Sequence, residues 1–126
     1  MIAGAQFLSG IDLQLFVRNV EDVVVVDLQG KATIGRANDL LDNKLRQLID
    51  EGSCKILLNL TDITQMDSSS IGSVVRAFKS LKSHGGSLRL LRPSKNVKLV
   101  LATVRLLGVI PTTDDETQAI ASFQLN

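Results

Sequence analysis

Ile56-Leu57-Leu58-Asn59-Leu60 and, shortly after, Met66-Asp67-Ser68-Ser69-Ser70-Ile71-Gly72 are the stretch on which the fold of this chain turns. The first run is apolar without alternation, the pattern of a short strand covered on both faces. Beyond the second, Ile71, Val74, Val75, Phe78 and Leu81 recur at i, i+3, i+4, i+7 and i+10, one face of a helix. A buried strand thus hands over to an amphipathic helix across three serines. Ser68 falls at the helix N-cap or beside it, where a side-chain oxygen accepts from a free backbone N–H. Unpaired N–H groups and the helix dipole also favour an anion there. From the residues alone, Asp and Ser before an apolar-periodic run describe an ordinary helix cap. A serine able to carry a phosphate without wrecking its helix is the sharper reading.

Working outward, strands alternate with helices. A strand pair at 13–20 and 23–28 reverses at Glu21-Asp22, and Gly30 breaks the chain. A helix over about 37–51 carries Leu41, Leu45 and Leu48 on one face and stops at Gly52. After the 56–60 strand, the serine-led helix reaches about His84 and stops at Gly85-Gly86. A strand at 87–91 follows, and Pro93-Ser94 opens a third helix. That helix has Val97, Val100, Leu101, Val104 and Leu107 on its expected buried side and ends at Gly108. Pro111-Thr112-Thr113-Asp114 leads into a short last helix ending near Phe123. Such alternation predicts an α/β layer, largely parallel after the first hairpin.

At 126 residues, 44% of them hydrophobic, one domain with a real core is expected. Four Phe with no Tyr or Trp make that core aliphatic. The single cysteine, Cys54, excludes an internal disulfide and suits a reducing compartment; next to a buried strand it reads as an inert core or edge thiol. No run approaches the roughly 20 apolar residues of a membrane span. Residues 1–10 are apolar but short and lack a positive flank, so they are expected to be a loose lead-in rather than a signal peptide.

Catalysis finds no constellation. A serine nucleophile needs a base within reach. The sole histidine, His84, lies sixteen residues along the same expected helix, about 24 Å away at 1.5 Å per residue. Gly30-Lys31-Ala32-Thr33-Ile34-Gly35 is no Walker A loop, because Arg36-Ala37 stands where Lys and Ser/Thr belong. One His, one Cys and scattered carboxylates show no metal-ligand spacing. No enzyme, metal or cofactor is expected.

Net charge is +1 but unevenly spread. Residues 1–67 hold ten acids and six bases, whereas 68–113 hold eight bases and no acid before Asp114-Asp115-Glu116. Arg76, Lys79, Lys82, Lys95, Lys98 and Arg105 avoid the apolar stripes. They describe either an ordinary solvated face or a positive surface for an acidic partner. Nucleic acid is disfavoured by the scarcity of stacking aromatics.

Asp67-Ser68-Ser69-x-Ile71-Gly72 at a strand–helix junction, within this order of elements from about 13 to 123, resembles the STAS domain. That is the domain of bacterial anti-sigma factor antagonists and of the cytoplasmic tails of sulphate transporters. The resemblance implies a single α/β STAS-like domain over 1–126, with 1–11 a lead-in. It also implies a mixed four- to five-stranded sheet with helices packed mainly on one face. It implies an antagonist that binds an anti-sigma factor serine kinase, itself ATP-bound, and is switched off by phosphorylation at Ser68, with Ser69 the alternative position. A phosphatase would reset it, and sigma-factor-dependent transcription would follow. Asp67, Ser68, Ser69, Ser70, Ile71, Gly72 and Lys31 are the implied partner surface. A monomer or weak dimer in the cytoplasm, without direct membrane insertion, completes the expectation.

Two departures stand out. The family usually has Gly at the position of Ser70, where a hydroxymethyl adds bulk and another polar group. It also often has an acid after the glycine of the second strand, where this chain has Lys31. Lys31 is thereby a candidate to pair with a phosphate on Ser68. The alternative reading is a non-catalytic STAS scaffolding subunit, of a lipid-transport ATPase or a signalling assembly, in which Ser68 only caps the helix.

Overall fold

Alternating burial along one early strand sets the faces of the whole sheet. The structure, a computed structural model, describes residues 6–9 and 12–125. β1 (Gln6–Ser9), β2 (Leu13–Val20) and β3 (Val23–Ala32) pair antiparallel in turn. On β2, Leu13, Leu15 and Val17 are buried while Gln14 and Phe16 are exposed, so successive side chains leave opposite faces. β4 (Lys55–Met66), β5 (Ser87–Leu91) and β6 (Thr112–Thr113) then add beside β3 in order, each parallel to its neighbour.

Each parallel step moves one place the same way, and right-handed crossovers then put every connecting helix on one face. α1 (Arg36–Asp50), α2 (Ser68–Ser83) and α3 (Lys95–Thr103) accordingly share one core with the sheet, through Leu41, Leu45, Val74, Leu81, Val97 and Leu101. Each such Leu stabilises by about 1.5–3 kcal/mol over an exposed one. α4 (Glu116–Ser122) lies on the other face, where Ala119, Ile120 and Phe123 cover Val23, Val25, Leu57 and Leu91.

The α/β class and the one-sided helix layer match the sequence expectation, but six strands replace four or five. One extra strand is β1, within the stretch expected as a lead-in; it forms because Phe7 and Leu8 find cross-strand partners in Phe16 and Leu15. Residues 1–5, 10 and 11 of that stretch lie outside the described residues. The other is the two-residue β6.

Two strands also outrun their predicted ends. β3 continues through Gly30, whose φ of 109° bends the strand without ending it. A Cβ there would stand 2.2 Å from the Asp12 carbonyl oxygen, so only glycine fits this close approach. β4 runs on to Met66, and register shifts against β3 space its buried Leu60, Ile63 and Met66 by three. That irregular spacing hid the extension from a period-two reading. Its consequence is that the serine cluster starts beside Ala32 and Lys31.

The third helix is shorter than predicted. It ends at Thr103, and Arg105 turns to φ 62°, leaving Val104 and Leu107 exposed rather than buried. Cys54 is exposed, not in the core.

Candidate functional site

The three serines start α2 at the carboxyl end of β4, and each has a different fate. Asp67, extended at φ −116°, is the N-cap. Its Oδ1 accepts from the backbone N–H groups of Ser69 at 3.1 Å and Ser70 at 3.2 Å, and from the Ser69 hydroxyl at 2.6 Å. Its Oδ2 accepts from the Ile34 N–H at 2.7 Å. Burial pushes the Asp67 carboxyl upward, but the hydrogen bonds from Ser69, Ile34 and Ser70 outweigh it and hold the group below the usual carboxylate range.

Ser70 closes the reciprocal half of a capping box: its Oγ accepts from the Asp67 N–H at 3.2 Å and donates to the Asp67 carbonyl at 3.0 Å. Asp67 and Ser70 thus do the capping that the sequence reading left open for Ser68. Ser68 is the first helical residue instead, exposed, and its hydroxyl has no hydrogen-bond partner among the described residues. Ser69 is half-buried and its hydroxyl is tied to Asp67.

Two members of the expected partner surface turn inward. Ser70 is fully buried and Ile71 is a core residue, because the first turn lays its N3 and N4 positions against the sheet. The extra hydroxymethyl at Ser70 is therefore a structural group inside the cap. Gly72 is half-exposed, and a Cβ there would meet a guanidinium nitrogen of Arg76 at 3.3 Å. The fold itself does not demand glycine at this position.

Lys31 is exposed on β3, in register with Gln65 of β4, next to the pair Ala32–Met66 that precedes Asp67. The Asp67 N–H also donates to the Ala32 carbonyl at 3.4 Å. The loop after Gly30 therefore borders the start of α2. Ile34, in that loop, is 80% exposed while its backbone is held by Asp67. Sequence reasoning did not place Ile34 in this site, since no short-range pattern signals a bond across 33 residues.

His84 is the C-cap of α2, its Nδ1 2.8 Å from the Ser80 carbonyl oxygen, at the far end of the helix from Ser68. In the groove between α1 and α2, Ser73 donates to Asn38 at 2.8 Å and Arg76 and Arg46 both pair with Asp42. Among the described residues no three His, Cys, Asp or Glu side chains are grouped as a metal would need. No helix among them is long and apolar enough to cross a membrane.

Fold and junction together define a class: small mixed-sheet α/β domains that present a serine-rich helix start at the carboxyl end of a central parallel strand. The chain belongs to the STAS domain family, whose model matches residues 14–119. A Thermotoga neapolitana protein, the TM1081 homologue named for anti-sigma factor antagonism, is 31% identical over 105 residues, covering 83% of this chain and 93% of that protein. The anti-sigma F factor antagonist of Paenibacillus polymyxa is 24% identical over 115 residues, covering 90% and 97%. Among solved structures, the anti-sigma factor antagonist SpoIIAA in its unphosphorylated form superimposes with a TM-score of 0.76 at 26% identity, covering 87% of this chain and 96% of that one.

Proposed function

We propose that this protein is an anti-sigma factor antagonist, held by its anti-sigma factor while Ser68 is free and released when Ser68 is phosphorylated. The observation that carries the reading is the division of labour in the serine cluster. Ser70 is buried and Ser69 is bonded to Asp67, while Ser68 offers an exposed hydroxyl to a kinase. The partner is a serine kinase that brings its own ATP, and a phosphatase resets the protein. Such a pair acts in the cytoplasm, on sigma-factor-dependent transcription. The antagonist itself catalyses nothing.

The switch is local electrostatics. Phosphorylation adds about −1.5 to −2 charge at Ser68. The N–H groups of Ser69 and Ser70, which an anion at a helix start would use, already bond Asp67. The phosphate therefore gains little from the fold and meets the Asp67 carboxylate beside it. It stands toward the partner, where charge, bulk and desolvation oppose contact. Each 1.4 kcal/mol or so lost weakens binding tenfold. Lys31, exposed beside this turn, is a cation that would face the phosphate, and a Lys31→Ala variant whose phosphorylated form behaves as wild type removes it from the switch.

Intact-mass and peptide mapping of the native protein, with and without phosphatase, tests the reading. A phosphatase-sensitive phosphate on the Ser68 peptide is the expected result, with Ser68→Ala retaining a kinase that Ser68→Asp releases. An unmodified peptide across growth and stress conditions, with partner binding unchanged in Ser68→Ala and Ser68→Asp, replaces the switch with a scaffolding role.

A further inference from the structure

The early end of α3 exposes a surface that neither core uses. Leu99 is 60% exposed, Val104 46%, Leu107 36% and Val109 56%: four large apolar side chains open to water within eleven residues. Single exposed hydrophobics are ordinary, but four within one short segment make it a candidate contact surface. It is a fixed surface. The Leu106 N–H donates to the Leu101 carbonyl at 2.8 Å, and the Ile110 N–H to that of Leu106 at 3.0 Å, with Ile110 fully buried beneath.

The charges carried by this segment itself are basic. No acid occurs between Ser68 and Thr113. Lys95 and Arg105 flank the patch, exposed and without an ion-pair partner among the described residues; Lys98 reaches Asp114 at 3.7 Å. Apolar side chains flanked by two bases unpaired among the described residues, Lys95 and Arg105, complement a partner surface of opposite charge with an apolar centre. An anionic membrane fits less well, since α3 has nine residues and neither Trp nor Tyr is present to sit at a lipid interface. The Ser94 hydroxyl, at the N-cap of α3, donates to the Ile63 carbonyl at 3.1 Å, so α3 departs from the same half of β4 that leads to Ser68.

We propose that residues 95–109 form a second docking surface, fitted to an acidic amphipathic segment of the anti-sigma factor. This rests on the antagonist reading and adds to it a contact that stays intact when Ser68 is phosphorylated. The Ser68 turn then sets whether the complex holds, and the α3 patch contributes affinity and partner choice in both states.

The test uses the anti-sigma factor captured by the Ser68→Ala protein. It is titrated at low and high salt against wild type, Leu99→Ser/Val109→Ser and Lys95→Glu/Arg105→Glu, with melting measured alongside. The apolar double variant is expected to bind at least about tenfold more weakly at an unchanged melting temperature. The charge-reversed variant is expected to associate more slowly and to lose most of its salt dependence. Affinities within about twofold of wild type in both variants overturn the proposal while leaving the Ser68 switch standing. Sedimentation of wild type with phosphatidylglycerol vesicles, abolished by the same substitutions at unchanged anti-sigma affinity, also overturns it, in favour of lipid. If Ser68→Ala captures no anti-sigma factor, the antagonist reading has failed and this surface falls with it.

Discussion

Asp67 and Ser68 are neighbours in opposite environments, one bonded into the cap and one exposed, and the difference is measurable. Asp67→Ala removes a cap serving four donors and is expected to lower stability by about 1–2 kcal/mol in urea unfolding. Ser68→Ala, at an exposed hydroxyl without a partner among the described residues, is expected to stay within about 0.5 kcal/mol of wild type. A loss at Ser68 as large as that at Asp67 would return Ser68 to a capping role. The Asp67 carboxyl is held low in the folded state, so its contribution is complete above the ordinary carboxylate range and is lost as pH falls through and below it. The stability gap between wild type and Asp67→Ala should therefore close on acidification. Gly72→Ala separates fold from function. Replacing a helical glycine is expected to stabilise by at most about 0.5–1 kcal/mol, since the Arg76 guanidinium must shift to admit the methyl, and on the proposed reading to weaken contact with the partner.

Helices and strands here are set by their ends as much as by their faces. α2 owes its start to the capping box and its rotation to the buried Val74, Ala77 and Leu81. β3 reaches the site only because Gly30 tolerates φ 109° beside the Asp12 carbonyl, to which the Lys31 N–H donates at 2.8 Å. Gly30→Ala is expected to cost more than about 1 kcal/mol and to shift the amide resonances of Lys31, Ile34 and Asp67 together. If only residues near Asp12 move, the loop is not coupled to the cap. These bends, bulges and turn residues were the illegible part of the sequence. A bulge breaks the two-residue alternation by which a strand is recognised, and α3 ends early where Arg105 adopts a left-handed turn no glycine announces.

The molecule as a whole is one sheet with unequal covers. Three helices pack on one face; on the other, α4 is clamped by Arg18, whose guanidinium bonds Asp27 at 2.7 Å and Glu116 at 2.6 Å. The hydrogen bond to Arg18 is the main cause holding the Glu116 carboxyl below its usual range. Arg18→Ala is expected to cost about 1–2 kcal/mol and to raise hydrogen exchange across α4 more than across α2. Equal exchange in both helices would mean that the apolar contacts of Ile120 and Phe123 alone hold α4. Because Glu116 titrates low in the folded state, this clamp also weakens as pH falls into the carboxylate range.

By itself the sequence determined the α/β class, the order and main faces of the elements, and the junction at 66–72, because periodicity and helix stops are local and survive in a string of letters. The family resemblance pointed to Ser68 among the three serines. What only the tertiary structure decided was the environment of each hydroxyl. Asp67 is joined to Ile34 across 33 residues, Ser70 is buried by the packing of the first turn, and Ser68 remains in water. Contacts between distant residues depend on how strands register and helices seat. Those are set by the packing of the whole core, which no single stretch of the chain specifies.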